Sequence, residues 1–166
     1  MSWPPPENKP PMELREPPPK WGYGPQITAV LIDSGPLLAL FNKHDHWHDT
    51  VRNWLHENPS AKLISTWPVL TEVCAMLARR IHNEAALDFL RWVQRGAVSL
   101  DAPVAASITT VLQISTRFAS LPFDLADASI AEAAARLKIR HILSVDSDFD
   151  VYRDPTGLPL INALRN

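Results

Sequence analysis

With 166 residues, 46% of them hydrophobic, the chain can build one core but not two, since a domain usually holds about 100–150 residues. A formal charge of −2 and a pI near 6.3 exclude a bulk nucleic-acid binder with a broad basic face, so any contact with a polyanion must be local. The single Cys74 excludes an internal disulfide framework and a Cys-rich zinc site; with every apolar run far below the ~18 residues of a membrane span, the expectation is a soluble, cytoplasmic protein with no membrane partner.

Residues 1–25 carry Pro4, Pro5, Pro6, Pro10, Pro11, Pro17, Pro18, Pro19 and Pro25, a density that removes backbone donors and sustains neither a helix nor a central strand. The expectation is a Pro-rich, extended and disordered arm over 1–25, solvated and without chemistry of its own, followed by one domain over 26–166. Residues 27–32 are apolar or β-branched without a polar face, as a strand covered on both sides must be, and the run stops at Asp33-Ser34-Gly35-Pro36. A short helix is expected over 36–41, then a helix with the apolar stripe Trp47, Val51, Trp54 and Leu55. Residues 62–65 read as a second strand. Thr66-Trp67-Pro68 offers a cap and an early proline for the next helix, which buries Val69, Val73, Met76 and Leu77. Ala86, Phe89, Leu90 and Val93 face inward from another helix; Gly96 ends it, and residues 97–100 offer a third strand. A long helix with Val104, Ile108, Val111 and Leu112 inward precedes the Ser120-Leu121-Pro122 loop. Residues 125–137 are Ala-rich and helical, residues 141–145 form a fourth strand ending at Asp146, and a last short strand is expected over 160–162. Strands alternating with helices predict right-handed crossovers, hence an α/β fold in three layers, α/β/α, around a central parallel sheet of about four to five strands.

In open sheets of this kind ligands bind beyond the carboxyl ends of the strands. Asp33 and Asp146 each follow an apolar strand, and neighbouring strands would bring both carboxylates to one rim; turn formation or helix capping accounts for either residue alone. Glu72 lies beside the apolar face of its helix, between Val69 and Met76. Its charge needs a positive partner there, either an Arg or Lys or a metal ion. Asp124 and Asp127 bracket the start of the Ala-rich helix and both suit its positive end; Asp127, one turn in, can reach the rim while Asp124 stays with the backbone. An acidic residue from each of two strand ends and two helices makes a hard oxygen cage, which suits Mg²⁺ or Mn²⁺ and phosphate substrates, whereas zinc would want His and Cys.

Four segments in this order carry a resemblance: Leu31-Ile32-Asp33-Ser34 with Gly35-Pro36-Leu37-Leu38, then Thr66-Trp67-Pro68-Val69-Leu70-Thr71-Glu72, then Asp124-Leu125-Ala126-Asp127-Ala128-Ser129, then Ile142-Leu143-Ser144-Val145-Asp146-Ser147-Asp148-Phe149. Through them the chain outside the arm resembles the PIN-domain family, in particular its VapC-type toxin ribonucleases. The resemblance implies a PIN-like fold with Asp33, Glu72, Asp127 and Asp146 as the acidic catalytic and metal-site residues, and Ser34 and Ser144 orienting waters or carboxylates. Asp124 and Asp148 stand behind them as supporting candidates. Ser144 departs from the Thr the family often carries there, and keeps the hydroxyl. The activity implied is Mg²⁺-dependent hydrolysis of RNA phosphodiester bonds, with Mn²⁺ as an alternative ion and no protein nucleophile. The implied partners are the RNA substrate, a cognate antitoxin protein and a second copy in a homodimer. A non-catalytic RNA- or protein-binding module on the same fold and a stand-alone metal-dependent phosphohydrolase are the competing functions.

His44-Asp45-His46-Trp47-His48-Asp49 approaches the metallo-β-lactamase pattern, but its final two residues are exchanged and the chain is short for that fold; polar residues at a helix start account for it. His48 is left between a structural role and substrate contact. Asp146-x-Asp148 matches an aspartyl-phosphatase motif, yet it follows the last full strand rather than the first. The glycines form neither a phosphate-binding loop nor a dinucleotide fingerprint. Arg79, Arg80, Arg117, Arg140 and Arg153 are the basic residues available to a phosphate backbone, and Trp47, Trp54 and Trp67 are expected in core stripes or helix starts.

Overall fold

Ala29–Ile32 forms the first strand, β1, and its neighbours in the sequence explain its place at the middle of the sheet. Successive side chains of a strand point to opposite faces, and Val30, Leu31 and Ile32 are all buried, so both faces of β1 are covered. The computed structural model describes residues 26–165; the expected Pro-rich arm over 1–25 lies outside the described residues. After β1 come α1 (Ser34–Phe41), α2 (His48–Glu57), β2 (Lys62–Thr66), α3 (Trp67–Arg80), α4 (Asn83–Gln94), β3 (Ser99–Asp101), α5 (Ser107–Arg117), α6 (Leu125–Leu137), β4 (His141–Leu143), a 3₁₀ turn at Asp148–Asp150 and β5 (Ile161–Asn162).

The five strands form one parallel sheet in the order β3-β2-β1-β4-β5. Leu31 of β1 registers with Ile64 of β2 on one side and Ile142 of β4 on the other, and Ile32 with Leu143. The chain therefore runs outward from β1 through β2 to β3, then returns across to β4. That reversal opens a crevice at the carboxyl ends of β1 and β4, the position at which such sheets bind ligands. Helix α3 packs against α1, α4 and α6, and α5 packs against α6, so α1, α3 and α6 surround the crevice. Among the described residues no helix is long and apolar enough to cross a membrane.

Several expectations shift in detail. The first strand starts two residues late, and α1 starts at Ser34 rather than 36 because Asp33 caps it. Thr66 ends β2 ahead of α3 with extended backbone, but its hydroxyl does not bond to the helix; it pairs with Ser129 Oγ of α6 at 2.6 Å. Gly96, at φ 88°, ends α4 as expected. Helix α4 buries Ala85, Ala86 and Phe89 but leaves Leu90 exposed, and in α3 Leu70 takes the fully buried place expected of Met76. The largest departure is α5. Only Val111 of its expected stripe is buried, while Val104, Ile108 and Leu112 stand in solvent, Ile108 at 70% exposure. Trp67, at 54% exposure, likewise leaves the core. It joins Pro103, Val104, Ile108 and Leu125 around a cavity of about 400 Å³.

Candidate metal centre

Asp33 stands where β1 ends and α1 begins. Its backbone N–H donates to Leu143 O at 3.0 Å, extending the pairing of β1 with β4 by one residue. One carboxylate oxygen accepts from Ser34 N at 2.6 Å and caps α1. The other accepts from Ser144 Oγ at 3.0 Å, and that same hydroxyl accepts from Asp146 N, also at 3.0 Å. A single buried hydroxyl thus links the two strand-end acids. Ser144 is itself held from β5: Asn162 Nδ2 donates to Ser144 O at 2.8 Å and Asn162 Oδ1 accepts from Ser144 N at 3.4 Å. Asn162 was not among the sequence candidates; the available signal was an amide side chain in a strand expected to be apolar.

Asp127 projects from the first turn of α6. The start of that helix is fixed by Asp124, whose Oδ1 accepts from Ala126 N at 2.7 Å and Asp127 N at 3.1 Å. Asp124 therefore serves the backbone, and Asp127 is free of it: its carboxylate accepts no hydrogen bond among the described residues. Glu72, half-buried on α3, completes the group. Burial pushes the Asp33 carboxyl up to about 6; the Ser34 and Ser144 bonds oppose the shift, and the charges of Glu72 and Asp146 add to it. Asp127 is pushed further, to about 8, by burial first and then by Asp33, Asp124, Asp146 and Glu72. These mutual effects place all four expected acids within electrostatic reach of one another.

Asp148 comes closer than the sequence indicated. Asp146 Oδ1 accepts from Asp148 N at 2.9 Å, and Phe149, buried beneath, anchors the 3₁₀ turn that brings Asp148 back to the rim. Asp127, Asp146 and Asp148 each offer one oxygen within 4.8 Å of the others. Every ion pair among the described residues lies elsewhere, on Asp49, Glu84, Asp88, Asp101, Glu132, Asp150 and Asp154. The salt bridge that would have explained Glu72 is not formed among them. An oxygen-only group of carboxylates with no ion-paired cation among the described residues fits a hard divalent ion and offers zinc none of its preferred ligands.

The remaining candidates fall outside this group. Ser34 contributes its backbone N–H rather than its hydroxyl. His48 Nδ1 bonds to Ala39 O at 2.8 Å, and His44 and His46 are exposed, so the His-rich stretch is a helix start. Arg140 donates to Pro159 O and Arg153 to the carbonyls of Asp150, Val151 and Tyr152. Arg117 lies over the ring of Phe118 at 5.2 Å, and Arg79 donates to Ala75 O. Arg80 lines a cavity of about 260 Å³ shared with Gly35, Trp47 and Val145. Gly35 belongs here for steric reasons: a Cβ on it would lie 2.4 Å from Val145 Cγ2, so a side chain would force α1 away from the loop that carries Asp146. Tyr152 is a second residue the sequence did not single out. It is buried, and burial followed by the charges of Asp127, Asp148, Asp124 and Asp146 pushes its hydroxyl up to about 12, leaving it a neutral donor beside the acids.

With that geometry in place, comparison with known proteins gives one consistent answer. The sequence profile of the PIN domain family matches residues 30–155. Ribonuclease VapC26 of Mycobacterium tuberculosis (strain ATCC 25618 / H37Rv) is 30% identical over 117 residues, which is 70% of this chain and 86% of that protein. Among solved structures, Mycobacterium tuberculosis VapC20, described as a sarcin-ricin loop cleaving toxin, superposes with a TM-score of 0.69 at 19% identity, covering 80% of this chain and 98% of the other. VapBC2 from Rickettsia felis, solved bound to a DNA fragment from its promoter, gives a TM-score of 0.62 at 17% identity over 81% of this chain and 98% of the other. At those identities the two structures speak for the fold, a parallel α/β sheet of the kind the alternation of strands and helices predicts.

Proposed function

The chain belongs to the PIN domain family, and from that premise we propose that it is a metal-dependent endoribonuclease of the VapC type, the toxin of a toxin–antitoxin pair. The observation that carries the reading is the group of carboxylates without an ion-paired cation among the described residues, in which burial and mutual repulsion push Asp33 up to about 6 and Asp127 to about 8. Asp127, Asp146 and Asp148 would hold a divalent cation, with Asp33 and Glu72 adjoining, and Mg²⁺ is the ion we favour over Mn²⁺. When bound, such an ion supplies Lewis acidity towards a phosphoryl oxygen and a more acidic water.

The chain's own residues do the rest. Ser144 holds the Asp33 carboxylate and the backbone of Asp146 in a fixed relation. Asp124 fixes the start of α6, and so the place of Asp127. Between them they hold the acids at one rim before any cation is present, with Asp127, Asp146 and Asp148 each offering one oxygen within 4.8 Å of the others. Burial and the neighbouring acids favour the protonated form of Asp127, and a cation held there would favour its carboxylate instead.

The reading makes the protein a cytoplasmic one that cuts RNA, is restrained by a separate antitoxin, and pairs with a second copy. The relatives named as a ribonuclease, a sarcin-ricin loop cleaving toxin and a VapBC assembly support the RNA-cutting and antitoxin assignments. For the second copy the exposed apolar side chains of α5 supply a surface. The test is cleavage of single-stranded RNA by the purified chain with Mg²⁺ or Mn²⁺. Asp33→Asn and Asp127→Asn should each lower the rate by a factor on the order of 10² or more with circular dichroism unchanged. Cleavage at the wild-type rate in both variants would remove the reading.

A further inference from the structure

Beside the acidic group lies a cavity of about 270 Å³ lined by Ser115 and Phe118 of the α5 end, Leu121, Pro122 and Phe123 of the following loop, Asp124, and Tyr152. Asp124 and Tyr152 belong to both places: the first caps the helix that carries Asp127, and the second feels the charge of Asp127, Asp148, Asp124 and Asp146. Through Asp124 and Tyr152 the cavity adjoins the acidic group. Its composition is mixed in an informative way. The Phe118 and Tyr152 rings meet edge to face at 5.3 Å and form a rigid apolar wall. Phe123 stands 72% exposed at the mouth, with no aromatic partner among the described residues. Ser115 Oγ is screened from water yet has no hydrogen-bond partner, although a helical serine can ordinarily bond to the carbonyl one turn back. A flat aromatic guest with polar edges would answer each of these features. It would cover the Phe123 ring, and one rotamer step of Ser115 would let that hydroxyl meet its edge.

We propose that this cavity is a nucleobase subsite, taking the base that adjoins the scissile phosphate, stacked on Phe123 and read at its edge by the hydroxyls of Ser115 and Tyr152. The proposal rests on the ribonuclease reading given above and gives it a source of sequence preference within the chain. Stacking tolerates any base, whereas hydroxyls at fixed positions discriminate among donor and acceptor patterns. Phe123 therefore governs how tightly a nucleotide is held, and Ser115 which nucleotide is preferred.

The test is titration of the full-length chain, in Mg²⁺, with the four 5′-mononucleotides AMP, GMP, CMP and UMP, which contain no diester to cut, followed by nuclear magnetic resonance. Wild type should rank the four with a spread of about fivefold or more, and Phe123→Ala should weaken the best of them by about tenfold or more. Ser115→Ala should bring the four affinities together without lowering Tm, since an unpartnered hydroxyl leaves no bond to lose; a merely structural role would show the opposite pattern. Equal affinities in wild type, or a ranking that survives both substitutions, would overturn the subsite. A parallel digest of a randomised single-stranded RNA separates the two readings. Ranked mononucleotides with uncut RNA would sink the nuclease and leave the base pocket standing. RNA cut with the same flanking-base frequencies by wild type and both variants would sink the pocket and leave the nuclease.

Discussion

At Asp127 two demands meet in one carboxylate: it must be close enough to other acids to share a cation, and it is destabilised by that closeness while the cation is absent. Burial and neighbouring charge push its carboxyl up to about 8 and that of Asp33 up to about 6, both above the ordinary carboxylate value of about 4. The folded, cation-free protein therefore binds more protons than the unfolded chain between those values. The stability contributed by the two raised groups is complete below about pH 4 and is lost as pH rises, for Asp33 by about pH 6 and for Asp127 by about pH 8. In EDTA, Tm should accordingly fall from pH 5 to pH 8. Asp127→Asn should flatten that slope and, at pH 8, stabilise the protein by on the order of 1–2 kcal/mol once solvent screening is allowed for, raising Tm by about 3–8 °C. Saturating Mg²⁺ should raise Tm of the wild type and leave Asp127→Asn nearly unmoved. A variant that melts lower than wild type at pH 8 in EDTA would show that the crowding of charge is not real. Of the residues involved, Asp33, Glu72, Asp127 and Asp146 were legible because each sits at a strand end or helix face that local patterns define. Asp148 is only a supporting candidate in the sequence, because a 3₁₀ turn closed by Asp146 leaves no periodic trace. Asn162 and Tyr152 matter only through contacts with residues far along the chain, which no local pattern encodes.

At the scale of the helices, α5 and α6 show how periodicity can mislead. Val104, Ile108 and Leu112 recur at the spacing of an apolar stripe, but Val104 falls in the turn before α5, and among the described residues nothing covers the three. Periodicity reports that a face avoids water; it does not say which surface provides the shelter. The face that α5 does turn to α6 is partly polar. Ser107 Oγ donates to Glu132 Oε1 at 2.9 Å, and the Arg136 guanidinium bridges Glu132, at 2.8 Å from Nε, to Asp101 of β3. Glu132 is 5% exposed, so its charge depends wholly on that network. In the sequence it sits in an Ala-rich helix, where an acid looks like a solvated residue until the packing of α5 is known. Glu132→Ala leaves Arg136 and Ser107 short of an acceptor and should cost about 3–5 kcal/mol, measured by urea unfolding. Glu132→Gln, which keeps the acceptor oxygen, should cost less. Equal losses in the two would assign the effect to packing alone.

For the molecule as a whole, the alternation of strands with helices was enough to predict a parallel sheet, and the strand count fell within the expected range. What alternation could not supply is the order β3-β2-β1-β4-β5, which depends on which apolar runs pair, and hence which strand ends meet. The uncovered side of α5, with Trp67 beside it, is likewise a property of the whole surface. A stable interface needs roughly 800 Å² from each partner, and the proposed pairing of two copies would draw on Trp67, Val104, Ile108 and Leu112. Sedimentation velocity should give a dimer for wild type at micromolar concentration and a monomer for Ile108→Asp, with Tm of the monomer held within a few degrees because residue 108 contributes little to the fold of one copy. A wild type that sediments as a monomer at all concentrations would discard this surface as the place of pairing.

The bond between Ser144 Oγ and Asp33 joins residues 111 positions apart, and the amide that clamps Ser144 arrives later still, at Asn162. A ribosome therefore delivers Asp33 early, but the partners that orient it only when synthesis of the domain is nearly over. A nascent or prematurely released copy cannot form the pocket of charge, whatever its concentration. For an enzyme whose proposed target includes the RNA of the cell that makes it, the lag between the first acid and the last anchor is a grace period, in which a restraining protein can be present before any cutting begins.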